Sequence, residues 1–332
     1  MPVVTEQLAT GKVYTGNVID VLPTFPAASV DLVVTSPPYY SARDYGSFPA
    51  IFGGSKTCDH VFKIIDVLRK PTPGDKPSRK SKIAIRRGND ENRPAKPSEL
   101  CSKCGAYRGD LGNEPSPALF VSHLCDIFDL VKRVLKPKGS VFVNIGDTYA
   151  GSVGVPPYEQ KDGERRPSKK NAMLIPQRFA IAMQERGWIV RNDLVWHKSP
   201  VSKPETVYDR FARSHEPIYF FTLSDDYYFE GARESGKGGT RVMRSVWNFS
   251  PSTYRSTHIA TFPPKLAAIP ISVACPPGGV VLDPFMGSGS TAVAAAALKR
   301  QWVGIDVSPE YAGIAGKRLN EGLQNLDEWT EK

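Results

Sequence analysis

Two short motifs near opposite ends of the chain each follow a run of apolar, largely β-branched residues. The run VDLVV leads into TSPPYY at Thr35–Tyr40, and the run GGVVL leads into DPFMGSGST at Asp283–Thr291. Such runs are typical of parallel strands that are buried on both faces. Open sheets of parallel strands bind their ligands at the carboxyl ends. The two motifs therefore predict an α/β protein with a ligand crevice that both motifs reach.

The remaining pattern predicts strands that alternate with helices. KVYTGNVIDVL predicts a first strand, and SPALFVSHLCDIFDLVKRVLKPKG predicts a helix that Pro137 and Gly139 end. The last third of the chain predicts a strand–helix–strand unit, GGVVLDPF, STAVAAAALKR and QWVGIDV. This order predicts a doubly wound, mostly parallel sheet, which is a Rossmann-like fold.

The charge distribution points to nucleic acid. The formal net charge is +9, and between Lys63 and Lys96 there are eleven Lys or Arg residues against four acids. This stretch lies in a segment, about residues 48–117, that is rich in turn formers and reads as an insertion with a mobile middle rather than as core. A basic segment of this kind is attracted to phosphates.

The sequence also excludes some cellular contexts. No apolar run approaches the ~20 residues that span a bilayer. The N-terminal residues lack the basic region and apolar core of a signal peptide. We therefore expect a cytoplasmic protein without membrane contact, whose cysteines do not form disulfides.

DPFMGSGST has the Gly-rich turn of a nucleotide-binding loop, without the Lys of a P-loop or the third Gly of a dinucleotide fingerprint. Gly287 and Gly289 let the backbone approach a ligand closely. Asp306 follows about 20 residues later, where a carboxylate accepts hydrogen bonds from ribose hydroxyls. Asp283 can face a cationic or ammonium-bearing ligand, and Phe285 offers an apolar face. These preferences suit S-adenosylmethionine, although a Gly-rich turn also occurs in α/β proteins without this ligand. The cofactor-binding residues predicted here are Asp283, Pro284, Phe285, Gly287, Ser288, Gly289, Thr291 and Asp306.

The TSPPYY motif predicts a clamp for a planar, amine-bearing ring. Pro37 and Pro38 stiffen the segment and remove two backbone donors. The Ser36 hydroxyl and the Pro37 carbonyl can then accept both protons of an amino group, while Tyr39 stacks on the ring. This arrangement orients a nitrogen lone pair for direct methyl transfer. The alternative is a rigid corner between a strand and a loop.

Together, the two motifs resemble those of the β-class amino DNA methyltransferases, with the catalytic motif near the N-terminus and the cofactor motif near the C-terminus. The resemblance implies a methyltransferase fold with this permuted motif order. It also implies that Ser36–Tyr39 hold a base flipped out of double-stranded DNA and that Phe285, Gly287 and Gly289 hold S-adenosylmethionine. By the same resemblance, THIATFPPKL contributes Thr261 and Phe262 to the methionine pocket. TGNVIDVL contributes Asn17, where the family often has Asp.

Four residues that bracket the basic stretch predict a structural zinc site. Cys58 and His60 form one pair, and Cys101 and Cys104 form a C-x-x-C pair. This spacing matches a Cys₃His set for Zn²⁺, and some members of the resembled family carry a similar insertion. A chance cluster of cysteines is the alternative.

The acceptor base and the partners stay open at this stage. By the resemblance, serine before Pro-Pro-Tyr implies cytosine N4, with adenine N6 as the alternative by the same mechanism. There are two further alternatives. The same fold could act on RNA or protein, or the chain could be a non-catalytic, zinc-stabilised DNA-binding module. The sequence leaves open a homodimer and a restriction endonuclease on a separate chain.

The motifs divide the chain into five segments. These are the catalytic half of the core (1–47), the basic insertion (48–117), the continued core (118–223), a target-recognition region (224–257) and the cofactor-binding half (258–332).

Overall fold

The computed structural model describes residues 3–8, 10–40, 49–65, 98–150, 168, 170–199, 207–231, 233–236, 239–251 and 261–322. The predictions for most of the basic stretch and for the last part of the target-recognition region lie outside these residues. The described elements, in chain order, are β1 (Val3–Leu8), β2 (Gly11–Thr15), α1 (Val18–Val21), β3 (Val30–Thr35), β4 (Ala50–Phe52), β5 (Phe62–Ile65), β6 (Ser98–Cys101), β7 (Tyr107–Gly109), α2 (Pro117–Val134), β8 (Leu135–Asn144), α3 (Ile175–Glu185), β9 (Ile189–Lys198), β10 (His215–Thr222), β11 (Arg233–Gly236), β12 (Gly239–Val242), β13 (Val246–Phe249), α4 (Pro264–Ala274), β14 (Val280–Asp283), α5 (Ser290–Ala297), β15 (Gln301–Asp306) and α6 (Pro309–Gly322).

Nine of the described strands form one sheet in the order β1-β2-β15-β14-β3-β8-β10-β9-β13. The strands β2, β15, β14, β3 and β8 run parallel to one another. By contrast, β10 is antiparallel to both β8 and β9. The mostly parallel sheet predicted from the sequence is confirmed.

Alternate residues of β3 pack on opposite faces of this sheet. Val33 belongs to a core that includes α2 and α3, whereas Leu32 and Val34 belong to a second core that includes α4 and α5. Successive side chains of a strand point to opposite faces, so a strand that is covered on both faces needs apolar residues at successive positions. The run VDLVV meets this requirement, and the helices on both faces make the sheet doubly wound.

The predicted helix after the insertion is present, with a different end. The Ser116 hydroxyl caps α2 by accepting a hydrogen bond from the Leu119 backbone N–H at 3.2 Å. The helix ends at Val134, before Pro137 and Gly139, because Leu135 already pairs with Val30 as the first residue of β8. The sheet ends this helix, and the two breaker residues lie inside the strand.

The first predicted strand is wrong in its second half. KVYTGNVIDVL extends as β2 only to Thr15, and α1 follows. The side-chain oxygen of Asn17 accepts a hydrogen bond from the Ile19 backbone N–H at 3.2 Å. Asn in this position favours a helix start over a continued strand, and this local signal overrode the β-branched composition.

The two ends of the insertion form a small antiparallel sheet in the order β4-β7-β6-β5. This sheet is part of the main core, contrary to the sequence-based expectation. Phe52 and Tyr107 are buried in that core, and the Phe52 ring stacks on the His123 ring of α2 with centroids 5.4 Å apart. The apolar residues of the insertion cover the core beside α2. The many charged residues of the insertion hid this contribution at the level of sequence.

In the described residues, none of the helices combines the length with the apolar character that crossing a bilayer requires.

Candidate active site

A cavity of about 640 Å³ lies at the carboxyl ends of the parallel strands, where an open α/β sheet binds its ligands. Both predicted motifs line it. The predicted residues that line the cavity are Asn17, Ser36, Pro37, Pro38, Tyr39, Thr261, Phe262, Pro284, Phe285, Gly287, Ser288 and Asp306. Two segments more than 200 residues apart in sequence thus share one cavity, because β3 and β14 are neighbours in the sheet.

The TSPPYY motif continues directly from β3 into this cavity. The Ser36 hydroxyl donates to Tyr39 Oη at 3.4 Å, which leaves the Ser36 lone pairs available to accept. Tyr39 Oη lies 3.1 Å from Asn144 Oδ1 and 3.1 Å from Glu216 Oε2. The Tyr39 ring packs over Gly146, where an added Cβ would lie 2.4 Å from Tyr39 Cε2. These contacts fix the position of the ring.

Residues that sequence reasoning missed complete this end of the cavity. Asn144 ends β8, and its Nδ2 donates to the Pro217 carbonyl at 3.2 Å, which turns Oδ1 toward Tyr39. Glu216 accepts a hydrogen bond from Lys198 Nζ through its other carboxylate oxygen. The one sequence signal for Asn144 is a polar residue at the end of an apolar strand, and Glu216 carries no comparable signal.

Asp306 is held rigidly at the other end of the cavity. Its two carboxylate oxygens accept hydrogen bonds from the Gly287 and Ser308 backbone N–H groups, each at 2.8 Å. Gly287 has φ +49°, which lets the loop fold back toward β15. Burial raises the pKa of Asp306 to about 6, although the backbone donors oppose this shift. The carboxylate is therefore preorganised to accept hydrogen bonds, and its pKa lies above the usual range of an aspartate.

Three predicted cofactor residues do not line the cavity. Asp283 is 2% exposed; one of its oxygens accepts from Thr35 Oγ1 at 2.6 Å and the other from Thr291 Oγ1 at 2.7 Å. Gly289, which precedes α5, packs against Ala315 of α6. These three residues lie behind the residues that line the cavity, and their part in cofactor binding stays a prediction. Asp283 ties the end of β3 to the cofactor loop, because two hydroxyls on these segments share its carboxylate.

Two other predicted cofactor segments reach the same cavity as the cofactor motif. Asn17 follows β2 and lines the cavity together with Gly16 and Val18. Ser290 Oγ donates to the Phe262 carbonyl at 2.7 Å, which fixes the segment before α4 against the start of α5. Of the residues near this end, Ser290, Val307 and Tyr311 also line the cavity and were not predicted.

The four predicted metal ligands lie together. Their ligand atoms are all within 4.8 Å of one another. The Cys58 and Cys101 sulfurs are 3.9 Å apart, and Cys104 Sγ lies 3.4 Å from His60 Nδ1. Tetrahedral Zn²⁺ with Zn–S bonds of about 2.3 Å requires sulfurs about 3.8 Å apart. The donor set and its spacing fit Zn²⁺.

A buried acid–imidazole pair joins the insertion to the TSPPYY motif. Glu114 is fully buried; one oxygen lies 3.2 Å from His123 Nδ1 and the other accepts from the Gly112 backbone N–H at 2.7 Å. An added Cβ on Gly112 would lie 3.0 Å from the Tyr39 carbonyl oxygen. The loop that follows β7 therefore packs directly behind the TSPPYY motif, and its residues Asp110 and Leu111 line the cavity.

The Asp306 pKa leads to a prediction about cofactor affinity. We expect the affinity for S-adenosylmethionine to fall by up to about tenfold per pH unit as the pH drops below about 6, because a protonated Asp306 no longer accepts two donors from a ligand. Calorimetric titration from pH 5 to 8 measures this effect. Burial also raises the pKa of Asp283 to about 6, so Asp306→Asn serves to separate the two groups. An unchanged pH profile in this variant would assign the dependence to Asp283.

Comparison with known proteins gives a consistent result. Residues 30–317 match the N6/N4 methyltransferase family profile, described as DNA methylase. The chain is 34% identical to the Type II methyltransferase M.XycI of Xanthomonas campestris pv. cyanopsidis, over 96% of this chain and 91% of that protein. It is also 34% identical to M.Cfr9I of Citrobacter freundii, over 94% and 89% of the two chains.

The fold is similar to those of solved DNA methyltransferases. The cytosine-N4-specific PvuII DNA methyltransferase superposes with a TM-score of 0.57 at 17% identity, over 97% of this chain and 94% of that chain. M1.HpyAVI, solved in complex with S-adenosylmethionine, superposes with a TM-score of 0.51 at 16% identity, over 93% and 99%.

Proposed function

This chain belongs to the N6/N4 DNA methylase family of enzymes, and from this premise we propose that it methylates cytosine N4 in double-stranded DNA with S-adenosylmethionine as the donor. The shared cavity carries the proposal. It joins a clamp for an amino group, Ser36–Tyr39, to a loop suited to a nucleoside, Gly287 and Asp306. A target base reaches this cavity only after it rotates out of the duplex.

The residues of the chain act by orientation. Ser36 Oγ and the Pro37 carbonyl accept the two protons of the amino group, so its lone pair points toward the donor. Tyr39 stacks on the base, held in place by Asn144 and Glu216. When bound, S-adenosylmethionine supplies an electrophilic methyl group on a sulfonium. Transfer of this methyl group to the amino nitrogen would leave S-adenosylhomocysteine as the other product, and the nitrogen would release one proton to solvent.

The choice of cytosine N4 rests on Ser36, because this family more often has Asp at this position when it methylates adenine. We expect that duplex DNA incubated with labelled cofactor, digested and resolved by mass, yields N4-methylcytosine. Detection of N6-methyladenine would be consistent with the same mechanism and would contradict the assignment of cytosine as the base. If the protein binds the cofactor and no labelled nucleoside is detected, the proposed activity on DNA is contradicted.

We also propose that Cys58, His60, Cys101 and Cys104 bind one structural Zn²⁺. The fit of the four ligand atoms to a tetrahedral site supports this assignment. The ion would fix the small antiparallel sheet, whose Phe52 lines the cavity. Gly54 follows Phe52 by two residues, and an added Cβ on Gly54 would lie 2.9 Å from Cys104 Sγ. The metal site therefore supports one wall of the catalytic cavity.

A further inference from the structure

A surface segment, residues 207–214, exposes two large aromatic side chains. Tyr208 is 89% exposed and Phe211 is 98% exposed. Single exposed apolar residues are common on protein surfaces. Two exposed aromatic residues three positions apart in one charged loop are a stronger indication of a nucleic-acid contact, because aromatic rings in proteins that bind nucleic acid stack on its bases.

The segment is anchored to the structure around it. Arg213 Nη1 donates to the Asp147 carbonyl at 2.9 Å, and the Arg210 guanidinium lies 4.1 Å from the centroid of the Tyr149 ring. The Lys198 backbone N–H donates to the Ser214 carbonyl at 2.8 Å. These contacts present the exposed rings from a fixed base.

The anchors place the segment beside the catalytic end of the cavity. Asp147 follows Asn144 by three residues, and Ser214 precedes Glu216 by two residues. Asn144 and Glu216 both contact Tyr39 Oη and line the cavity. Residues 207–214 are therefore anchored close to two residues that line the catalytic end of the cavity, and none of the eight lines the cavity itself.

The segment and its immediate neighbours carry a small excess of positive charge. Arg210 and Arg213 lie within the segment, and Lys170 Nζ pairs with Asp209 at 2.5 Å while 80% of the Lys170 side chain is exposed. Two arginines and one lysine stand against two aspartates, Asp209 and the largely buried Asp147, whose carboxylate lies 3.5 Å from Arg213 Nη2. Positive side chains around exposed aromatic rings favour a partner that offers both phosphates and bases.

We propose that residues 207–214 bind duplex DNA next to the target base and that Phe211 stacks in the space which the base leaves when it rotates out. This inference rests on the proposed function, since it assumes base rotation. Unstacking a base from a duplex is costly, and the cost is smallest for a mismatched base. A ring that fills the vacated space compensates for part of this lost stacking.

The test compares full-length wild type with Phe211→Ala, bound to S-adenosylhomocysteine. The probes are a short duplex centred on a base that the wild type methylates and the same duplex with a mismatch opposite that base. We expect Phe211→Ala to bind the matched duplex about tenfold more weakly and the mismatched duplex with nearly wild-type affinity. Phe211→Trp is expected to restore binding to the matched duplex.

Two further variants make the result specific. Ile181→Ala removes another exposed apolar side chain, 57% exposed on α3, and is expected to bind both duplexes as the wild type does. Arg210→Ala is expected to weaken binding to both duplexes alike and to reduce its salt dependence, as loss of a phosphate contact does.

Several outcomes would overturn the inference. These are wild-type binding of both duplexes by Phe211→Ala, an equal loss on both duplexes, or a change in self-association in place of a change in DNA binding. Methylation of the matched duplex by the wild type tests the proposed function separately. If the wild type methylates the duplex and Phe211→Ala is unaltered, only the role of Phe211 fails.

Discussion

The Ser36→Ala variant is expected to retain its affinity for S-adenosylmethionine and to lose about 100-fold or more in kcat. Without Ser36 Oγ, the amino group keeps one fixed acceptor and can rotate, so its lone pair is no longer aligned. Cofactor affinity persists because the Gly287–Asp306 hydrogen bond is untouched. Single-turnover methylation gives the rate, and calorimetry gives the affinity. A wild-type kcat in this variant would contradict the role of Ser36.

Variants at the neighbouring ring test whether its position matters. Tyr39→Phe keeps the ring and removes the hydroxyl that contacts Asn144 and Glu216, so we expect it to be more active than Tyr39→Ala. Gly146→Ala keeps both Ser36 and Tyr39 in the sequence, but its Cβ would lie 2.4 Å from Tyr39 Cε2 and would force the ring to move. We expect its kcat to fall toward that of Tyr39→Ala. An unaffected Gly146→Ala would show that the ring position is not critical.

Loss of a metal ligand is expected to have the second large effect. Cys104→Ser should lower zinc affinity by about 100-fold or more, since even changes in residues that only support the ligands cost 10–100-fold. The small antiparallel sheet would then lose its fixed position, and Phe52 and Leu111 would leave the cavity wall. We expect a purified variant without stoichiometric zinc, a lower Tm and reduced methylation of DNA. Elemental analysis, thermal unfolding and activity assays measure these changes.

The control for the metal prediction is Cys125→Ala, which removes a buried thiol of α2 that is not among the four ligands. It should retain one zinc per chain. Affinity for S-adenosylmethionine reports on the opposite end of the cavity and is expected to change little in Cys104→Ser. A Cys104→Ser protein with stoichiometric zinc, or a wild type that contains none, would refute the site.

The sequence predicted those parts of the site in which neighbouring residues carry the chemistry. Apolar runs predicted β3 and β14, and the motifs that follow them line one cavity. Close pairs of cysteine and histidine predicted a zinc site, and their four ligand atoms lie within 4.8 Å of one another. Such features can be read from sequence because strand burial, a tight Gly turn and a C-x-x-C pair are each properties of a few consecutive residues.

The tertiary structure alone decided which distant residues complete the site and which way side chains point. Glu216 reaches the Tyr39 hydroxyl across 177 positions of sequence, and this contact depends on β10 pairing with β8. Asp283 turns inward because Thr35 and Thr291 offer their hydroxyls to its buried carboxylate. A local pattern records burial and turn geometry. It does not record strand pairing or competition among hydrogen-bond donors, since both arise only when separate segments pack against one another.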